Sequence, residues 1–332
     1  MTRPRILSGM RPTGPLHIGH LTGALDNWVR LMDTYECFFA IVDWHALTTD
    51  YADPKDVRDN VLEVATDWLA AGLDPARSTL FIQSLVPEHA ELHLLLSMII
   101  PVPWLERVPS YKEQQNQLAE KDLSTYGFLG YPLLQSADIM IYKADAVPVG
   151  EDQAPHVELT REVVRRFNHF YGPVFPEPKT LLTATPRTPG TDGRKMSKSY
   201  GNAVLLKDTP EAVRAKLKTM VTDPARVRRT DPGNPDVCPV FDLHKAFSTK
   251  DTQEWAAAGC RSAGIGCIEC KGRLADHVIE RMAGVLQRRA EYAARPDTVW
   301  DVLRDGSRRA REVAGATMDD VRQAMKLRYP IA

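Results

Sequence analysis

The chain of 332 residues lacks a surplus of charge of either sign and lacks long apolar runs. Its 42 Lys and Arg nearly balance 43 Asp and Glu, so a nucleic-acid partner would have to be bound by local patches and not by a global field. The longest apolar stretch, residues 94–105, is interrupted by Pro101 and Pro103 and is shorter than the roughly 20 residues that a bilayer requires. The N-terminal segment MTRPRILSGMRPTG has no apolar signal-peptide core. We therefore expect a cytoplasmic protein that is neither secreted nor membrane-bound.

Cysteine is also scarce, but its placement is not random. Five cysteines are an odd number in a chain without an export signal, so no disulfide framework is expected. Cys238, Cys260, Cys267 and Cys270 nevertheless lie within 33 residues, with the spacing C-x21-C-x6-C-x2-C, whereas Cys37 sits in an apolar run. Clustered thiolates repel one another unless a soft cation lies among them, so the spacing predicts a metal site. Four sulfur ligands suit zinc and a [4Fe-4S] cluster equally well.

Strand-like and helix-like segments alternate in the first half of the chain. Buried strands are predicted over residues 5–9, 37–43, 79–83 and 146–149. Between and after them, helices are predicted from Asp53-Pro54 to Gly72, over 87–100 and from Glu151 to Tyr171. Strands separated by such helices predict an α/β fold with a Rossmann-like parallel sheet.

The composition changes after this half. Residues 172–202 are rich in Pro, Gly and Thr and are predicted to form a long functional loop. Beyond the loop we expect helices that begin at Thr209-Pro210 and that cover 271–295 and 297–327, with no further strand. The sequence therefore predicts a Rossmann-like domain over residues 1–205 and a C-terminal α-helical domain over residues 206–332 that contains the cysteine cluster.

The first motif with chemical meaning is His17-Ile18-Gly19-His20, which follows the first predicted strand and opens a helix. Gly19 permits close approach of a ligand, and a helix N-terminus presents free N–H groups to an anion. The two imidazoles can donate hydrogen bonds to phosphate oxygens. On the tetrapeptide alone, a surface turn with two incidental histidines explains the pattern equally well.

The second motif is Lys195-Met196-Ser197-Lys198-Ser199, within the predicted loop. Two lysines three residues apart on a mobile loop can close over a polyphosphate and neutralise a leaving pyrophosphate. The ordinary alternative is a solvated basic loop, although a specified pentapeptide arises by chance in a chain of this length with a probability on the order of 10⁻⁴.

Together, HIGH and KMSKS resemble the motifs of class I aminoacyl-tRNA synthetases. The segments YPLLQSAD (131–138) and PVGEDQAPH (148–156) resemble the tryptophanyl-tRNA synthetases within that class, and the resemblance covers essentially the whole chain. It implies that tryptophan is activated by ATP with Mg²⁺ to tryptophanyl-adenylate and then transferred to tRNA(Trp), with no DNA or membrane partner. It further implies a homodimer, a helical domain that binds the tRNA anticodon, and, as in a subset of these enzymes, a [4Fe-4S] cluster rather than zinc on the four cysteines.

The resemblance also implies roles for individual residues. The catalytic residues on the phosphate side are His17, His20, Lys112, Lys195 and Lys198. The ATP-binding residues are Arg11, Pro12, Thr13, Gly19, His20, Gly150, Glu151, Asp152, Thr188, Lys195, Met196, Ser197, Lys198 and Ser199. The tryptophan-binding residues are His45, Tyr131, Gln135, Asp138 and Gln153.

Asp138 is the expected partner of the indole ring, because an ionised carboxylate only accepts hydrogen bonds and an indole N–H only donates. An N-cap or an ordinary ion pair is the alternative role for this aspartate. Because a phenol also donates, Asp138 alone does not distinguish tryptophan from tyrosine; the GEDQxxH segment, which resembles the tryptophan enzymes, does. A tyrosyl-tRNA synthetase and a non-catalytic, synthetase-like tRNA-binding protein are the two alternative functions.

Overall fold

The computed structural model describes residues 3–117, 120–182 and 188–330. At its centre lies a five-stranded sheet in the order β3-β2-β1-β4-β5, in which every neighbouring pair is parallel. The strands are β1 (Arg5–Met10), β2 (Glu36–Ile41), β3 (Ser78–Ile82), β4 (Ala146–Val149) and β5 (Lys179–Leu182).

Helices connect these strands and form the C-terminal part of the chain. In the first half they are α1 (Ile18–His20), α2 (Asp26–Leu31), α3 (Asp43–Asp50), α4 (Val57–Ala71), α5 (Glu88–Ser97), α6 (Val102–Glu106), α7 (Pro109–Gln117), α8 (Tyr126–Ile141) and α9 (Ala154–Tyr171). The later ones are α10 (Pro210–Thr219), α11 (Pro239–Phe247), α12 (Lys250–Arg261), α13 (Cys267–Ala293) and α14 (Pro296–Ala324). Within the described ranges, no helix is both long enough and apolar enough to cross a membrane.

The predicted Rossmann-like architecture is confirmed. All four predicted strands form, because each is a short apolar run that is buried on both faces of a parallel sheet, as in the fully buried β3. The predicted helix end at Gly72 is also confirmed, since this residue adopts φ 108°, a left-handed conformation that favours glycine.

Two predictions about elements were wrong. β5 (Lys179–Leu182) lies inside the segment predicted to be entirely loop; it is an edge strand of half-exposed residues, so it lacks the buried apolar run by which the other strands were found. Helix α4 begins at Val57 and not at Pro54, with Asp56 as its N-cap residue; Asp53 instead contacts Lys55 at 2.8 Å.

The last helix covers the opposite edge of the sheet. α14 packs along β3, where the Ser307 hydroxyl accepts a hydrogen bond from the backbone N–H of Ile82 at 3.2 Å. Gly306 faces the same strand so closely that a Cβ built on it would lie 1.8 Å from the carbonyl oxygen of Leu80. The C-terminal helix thus protects an edge that would otherwise be open to pairing with another chain.

Candidate active site

A cavity of about 450 Å³ lies at the carboxyl ends of β1, β2 and β4. The chain runs from β1 to β2 and β3 on one side and returns to β4 and β5 on the other, so the cavity occupies the position where the strand order reverses. Of the residues predicted for binding or catalysis, its lining includes Arg11, Gly19, His20, His45, Tyr131, Gln135, Asp138, Gly150 and Gln153.

The HIGH turn forms one wall of the cavity. The rings of His17 and His20 lie 3.8 Å apart, and Nδ1 of His20 accepts the backbone N–H of His17 at 3.2 Å. Burial, followed by the charges of Lys198 and Lys195, lowers the pKa of His17 to about 4. Burial likewise holds the pKa of His20 well below its usual value, so both rings are neutral at neutral pH. A Cβ on Gly19 would lie 3.0 Å from the side chains of His17 and Thr188, so this position is tightly packed.

The KMSKS loop packs against this turn. Lys198 Nζ donates to the carbonyl oxygen of Thr13 at 2.7 Å and to its hydroxyl at 3.2 Å. Met196 is buried, and its backbone N–H donates to the carbonyl oxygen of Thr188 at 3.0 Å. Burial lowers the pKa of Lys198 to about 8. Lys198 of the KMSKS motif therefore contacts the turn that leads into the HIGH motif, 185 residues away along the chain.

Arg11 points one donor towards the cavity. Its Nη2 group donates to the carbonyl oxygen of Ala46 at 3.4 Å and to the hydroxyl of Thr49, and lies 3.7 Å from Asp50. These contacts hold it against α3. Its Nε is buried and has no hydrogen-bond partner among the residues that the structure describes, which is an unfavourable state for a charged donor unless a ligand accepts the bond.

Asp138 lies on α8 and is buried, with 3% of its surface exposed. His45 Nε2 contacts Oδ2 at 2.8 Å, His89 Nδ1 contacts Oδ1 at 2.7 Å, and the Gln83 amide donates to both oxygens at 2.8 and 2.9 Å. Burial opposes ionisation of Asp138, but the hydrogen bonds and charges of His45 and His89 hold its pKa well below the usual range. The carboxylate is thus a fixed, ionised acceptor at the cavity wall.

A second polar chain crosses the cavity beside Asp138. The Tyr131 hydroxyl lies 2.9 Å from Ser110 Oγ, which lies 2.6 Å from Nε2 of His156. Burial lowers the pKa of His156 to about 4, so this ring is neutral too. Gln153 lies at the N-terminal end of α9 and lines the same side.

The other predicted residues lie around the cavity or away from it. Pro12 is buried in the first turn, Ser197 donates its backbone N–H to Asn202 Oδ1 at 2.8 Å, and the side chains of Glu151, Asp152, Lys195 and Ser199 are exposed. Lys112 is an exposed residue of α7 and, like His17, Lys195 and Lys198, is not among the residues that line the cavity.

Several polar residues of the site were not predicted. Gln83, in the turn directly after β3, and His89 on α5 reach Asp138, and Ser110 and His156 form the second chain. His156 belongs to the GEDQxxH segment and could have been carried over from it. The others are single polar residues in apolar or helical surroundings, and no sequence signal distinguishes them from surface residues.

The four clustered cysteines lie far along the chain from this cavity. Cys238 precedes α11, Cys260 is near the end of α12, and Cys267 and Cys270 are in the first turn of α13. Burial, followed by the charges of the three other thiols, raises the pKa of Cys270 to about 12. Among the residues that the structure describes, no three His, Cys, Asp or Glu side chains are placed to bind one metal ion.

Comparisons with known proteins agree with this geometry. Residues 1–283 match the family described as tRNA synthetases class I (W and Y). A tryptophan–tRNA ligase of Thermotoga maritima is 53% identical, over 98% of this chain and all of its own, and one of Ralstonia nicotianae is 48% identical, over 98% and 99%. The structure of a tryptophanyl-tRNA synthetase from Campylobacter jejuni, in complex with ADP and tryptophan, is similar with a TM-score of 0.86 and 30% identity, over 97% of this chain and 99% of that one.

Proposed function

The chain belongs to the tryptophan–tRNA ligases among the class I tRNA synthetases, and we propose that the cavity beside Asp138 is where it joins tryptophan to ATP before transfer to tRNA(Trp). The single observation that carries this proposal is the buried, ionised carboxylate of Asp138, which lines the same cavity as Gly19 and His20 of HIGH, with Lys198 of KMSKS bonded to Thr13 in the turn before them. The related structure from Campylobacter jejuni holds ADP and tryptophan, which supports two adjoining subsites.

In the first step, the tryptophan carboxylate attacks the α-phosphate of ATP and pyrophosphate leaves. This nucleophile is already ionised and needs no general base, so catalysis consists of positioning and of stabilising charge on the phosphates. Neutral His17 and His20 donate to phosphate oxygens, and Lys195 and Lys198 neutralise the leaving pyrophosphate. Mg²⁺ arrives with ATP, bound mainly by phosphate oxygens and water.

The remaining ATP contacts form a strip from β1 to β4. Arg11 offers its unpartnered Nε, and Gly19 and Thr188 allow the nucleotide to approach the backbone closely. Gly150 lines the cavity at the end of β4, which supports a ribose contact at this residue and at its neighbours Glu151 and Asp152. Pro12, Thr13, Met196, Ser197 and Ser199 shape the turn and the loop around the phosphates.

Tryptophan lies at the other end of the cavity. Asp138 accepts the indole N–H, while Tyr131 and Gln153 contact the α-amino group and Gln135 lines the pocket. His45 is buried and contacts the Asp138 carboxylate, so its role is to support Asp138.

The direct test is amino-acid-dependent exchange of pyrophosphate into ATP, measured with each of the twenty amino acids. We expect exchange with tryptophan and at least 100-fold lower kcat/KM with tyrosine, since Gln153 and His156 of the GEDQxxH segment, which distinguishes the tryptophan enzymes, line the cavity with Asp138. Exchange that tyrosine supports best would instead indicate a tyrosyl-tRNA synthetase. No exchange with any amino acid would indicate a non-catalytic tRNA-binding protein.

The two parts of the chain have different functions. Residues 1–205 form the catalytic domain, and residues 206–332 form the helical domain that contacts the tRNA anticodon.

The enzyme acts in the cytoplasm as a homodimer. In support of a dimer, Leu94, Met98 and Val102 of the apolar stretch expose 56%, 66% and 49% of their surfaces, which is unusual for a cluster of large apolar side chains.

The four cysteines hold a [4Fe-4S] cluster. Burial, and after it the charges of neighbouring thiols, raises the pKa of Cys270 and Cys260, so the deprotonated state that a metal requires is unfavourable until positive charge is placed among them. The cysteine spacing and the resemblance to the subset of tryptophanyl-tRNA synthetases with such a pattern favour the cluster over zinc. Bound there, it would link the starts of α11 and α13 to the end of α12 and serve structure or anticodon contact.

The cluster can be tested by purifying the protein without oxygen. We expect a brown protein with broad absorption near about 400 nm, which is typical of thiolate-bound iron–sulfur centres. Cys270→Ser should lose the colour and Cys37→Ala should retain it. A colourless protein with stoichiometric zinc would exclude iron, and a metal-free protein of full stability would exclude the site.

A further inference from the structure

A buried chain of hydrogen bonds lies behind Asp138. The Tyr142 hydroxyl is 2.7 Å from Nε2 of His89, and Nδ1 of His89 is 2.7 Å from Oδ1 of Asp138. His89 and Tyr142 each have 0% of their surface exposed, and neither lines the cavity that Asp138 lines. They cannot touch a substrate there, yet they are connected to the side chain that does.

The direction of the protons along this chain follows from the groups present. Burial, followed by the charges of Asp138 and Glu88, raises the pKa of Tyr142 well above its usual value, so the phenol keeps its proton. An ionised Asp138 can only accept, so Nδ1 of His89 must donate to it. Nε2 of His89 meets the Tyr142 hydroxyl, a group that can both donate and accept a hydrogen bond. The chain therefore connects Tyr142 through His89 to Asp138.

The packing also fixes the ring of each member. Tyr142 stacks on Phe38 at 4.6 Å between ring centroids and meets Phe81 edge-on at 5.4 Å. Gln83 donates to both oxygens of Asp138 from the other side, so the carboxylate cannot rotate without losing two partners. Asp138 itself is one of the residues that line the cavity.

We propose that Tyr142 and His89 are positioning residues that keep the Asp138 carboxylate oriented for a ring N–H donor and so determine the selectivity for an indole. This inference rests on the proposed function, in which Asp138 accepts the indole N–H. A ring of the same shape that carries no donor would leave the fixed carboxylate one hydrogen bond short, which is heavily penalised in a buried site. If the chain of hydrogen bonds is broken, Asp138 can rotate or become protonated. The penalty for binding a ring that carries no donor is then smaller.

The test compares tryptophan with its analogue in which sulfur replaces the indole nitrogen. Pyrophosphate exchange is measured for the wild type, for Tyr142→Phe and for His89→Leu, with His89→Asn as the conservative variant whose amide can replace the Nδ1 donor. Tyr171→Phe, which removes a phenol at the end of α9, is the matched control. Circular dichroism and thermal unfolding identify the variants that are folded.

We expect the wild type and Tyr171→Phe to prefer tryptophan strongly. In Tyr142→Phe and His89→Leu the KM for tryptophan should rise about 10-fold with less change in kcat, and the preference over the analogue should fall about 10-fold. His89→Asn should recover part of the preference. As the pH is lowered, affinity for tryptophan should be lost when Asp138 becomes protonated. In Tyr142→Phe this loss should occur at a higher pH than in the wild type, because its Asp138 is protonated more readily.

Folded Tyr142→Phe and His89→Leu proteins with an unchanged preference would overturn the inference. If His89→Leu does not fold, an unchanged preference in Tyr142→Phe and His89→Asn has the same meaning. A wild type that does not distinguish tryptophan from the analogue would instead show that Asp138 is not the indole acceptor, which refutes the proposed function of that residue.

Discussion

At the scale of single residues, the cavity depends on side chains that stay neutral although they are basic. His156 is buried with a pKa lowered to about 4, against about 6.5 in an unfolded chain. Between these two values the unfolded state binds a proton that the folded state does not, so folding stability falls as the pH falls through this window.

The stability of the protein should therefore depend on His156 in mild acid. Between pH 7 and pH 5 we expect the wild type to lose about 2 kcal/mol of unfolding free energy through this residue alone. Denaturant unfolding at both pH values should show a correspondingly smaller loss in His156→Gln. His169→Gln, which changes an exposed histidine of the same helix, should match the wild type. Equal losses in all three proteins would contradict a buried neutral His156.

Single residues also mark where sequence reasoning ends. Asp138 and His45 were both predicted to bind tryptophan, and the structure places them in contact with each other. Gln83 and His89, which complete the shell of Asp138, carry no motif and reach it from 55 and 49 residues away along the chain. Contacts between residues this far apart in the chain depend on how β3 and α5 pack in the folded protein. No local sequence pattern predicts that packing.

At the scale of elements, α14 provides a sharp test of packing because it contains two glycines in opposite environments. A Cβ on Gly306 would lie 1.8 Å from the Leu80 carbonyl oxygen, whereas nothing lies within 4 Å of one on Gly315. We expect Gly306→Ala to lower the unfolding free energy by about 3 kcal/mol, through overpacking against β3. Gly315→Ala should raise it by about 0.5–1 kcal/mol, because alanine favours the helix.

Thermal or denaturant unfolding of the two variants measures both effects. If Gly306→Ala were as stable as Gly315→Ala, α14 would not lie on the edge of the sheet as described.

The KMSKS loop is the element that should act on the transition state. Lys195→Ala and Lys198→Ala should each lower kcat for pyrophosphate exchange by about 100-fold, because they neutralise charge that develops as pyrophosphate leaves. The KM for tryptophan should change much less. Lys207→Ala, whose side chain lies 3.5 Å from Glu63 outside the loop, is the control and should behave as the wild type. Unchanged turnover in both loop variants would refute the assignment.

The elements themselves were predicted to different degrees. Four strands were recognised because each is a compact apolar run, and the helix beginning at Pro210 was recognised from its Thr209 cap, whose side chain accepts the Ala212 N–H. β5 was missed because an exposed edge strand of four residues has no such run. The structure of residues 183–187 of the predicted loop lies outside the described ranges.

At the scale of the whole molecule, the exposed apolar face of α5 and α6 predicts assembly. Sedimentation velocity at micromolar concentration should show a dimer for the wild type and a monomer for Met98→Asp, because a buried charge without a partner opposes association. Val227→Asp changes a side chain that is 85% exposed and should leave the dimer intact. A wild type that sediments only as a monomer would refute the homodimer.

The division of the molecule could be predicted only in outline. The change from alternating strands and helices to helices alone is visible in the sequence. The association of the two parts is not, since Arg289 of α13 reaches Asp67 of α4 at 2.7 Å, and Asp67 also accepts the backbone N–H of Leu16 just before the HIGH turn at 2.7 Å. This ion pair joins residues that are 222 positions apart, and neither sequence segment contains a pattern that predicts it.

The central claim is that Asp138 accepts the indole N–H of tryptophan, and the most direct measurement is tryptophan-dependent pyrophosphate exchange by Asp138→Asn beside the wild type. Asparagine preserves the shape but lacks the charge, and a hydrogen bond to a charged acceptor contributes about 1.5–3 kcal/mol. We therefore expect kcat/KM for tryptophan to fall by about 10- to 100-fold, mainly through KM, in a variant that remains folded. A folded Asp138→Asn protein with the wild-type kcat/KM for tryptophan would contradict the claim.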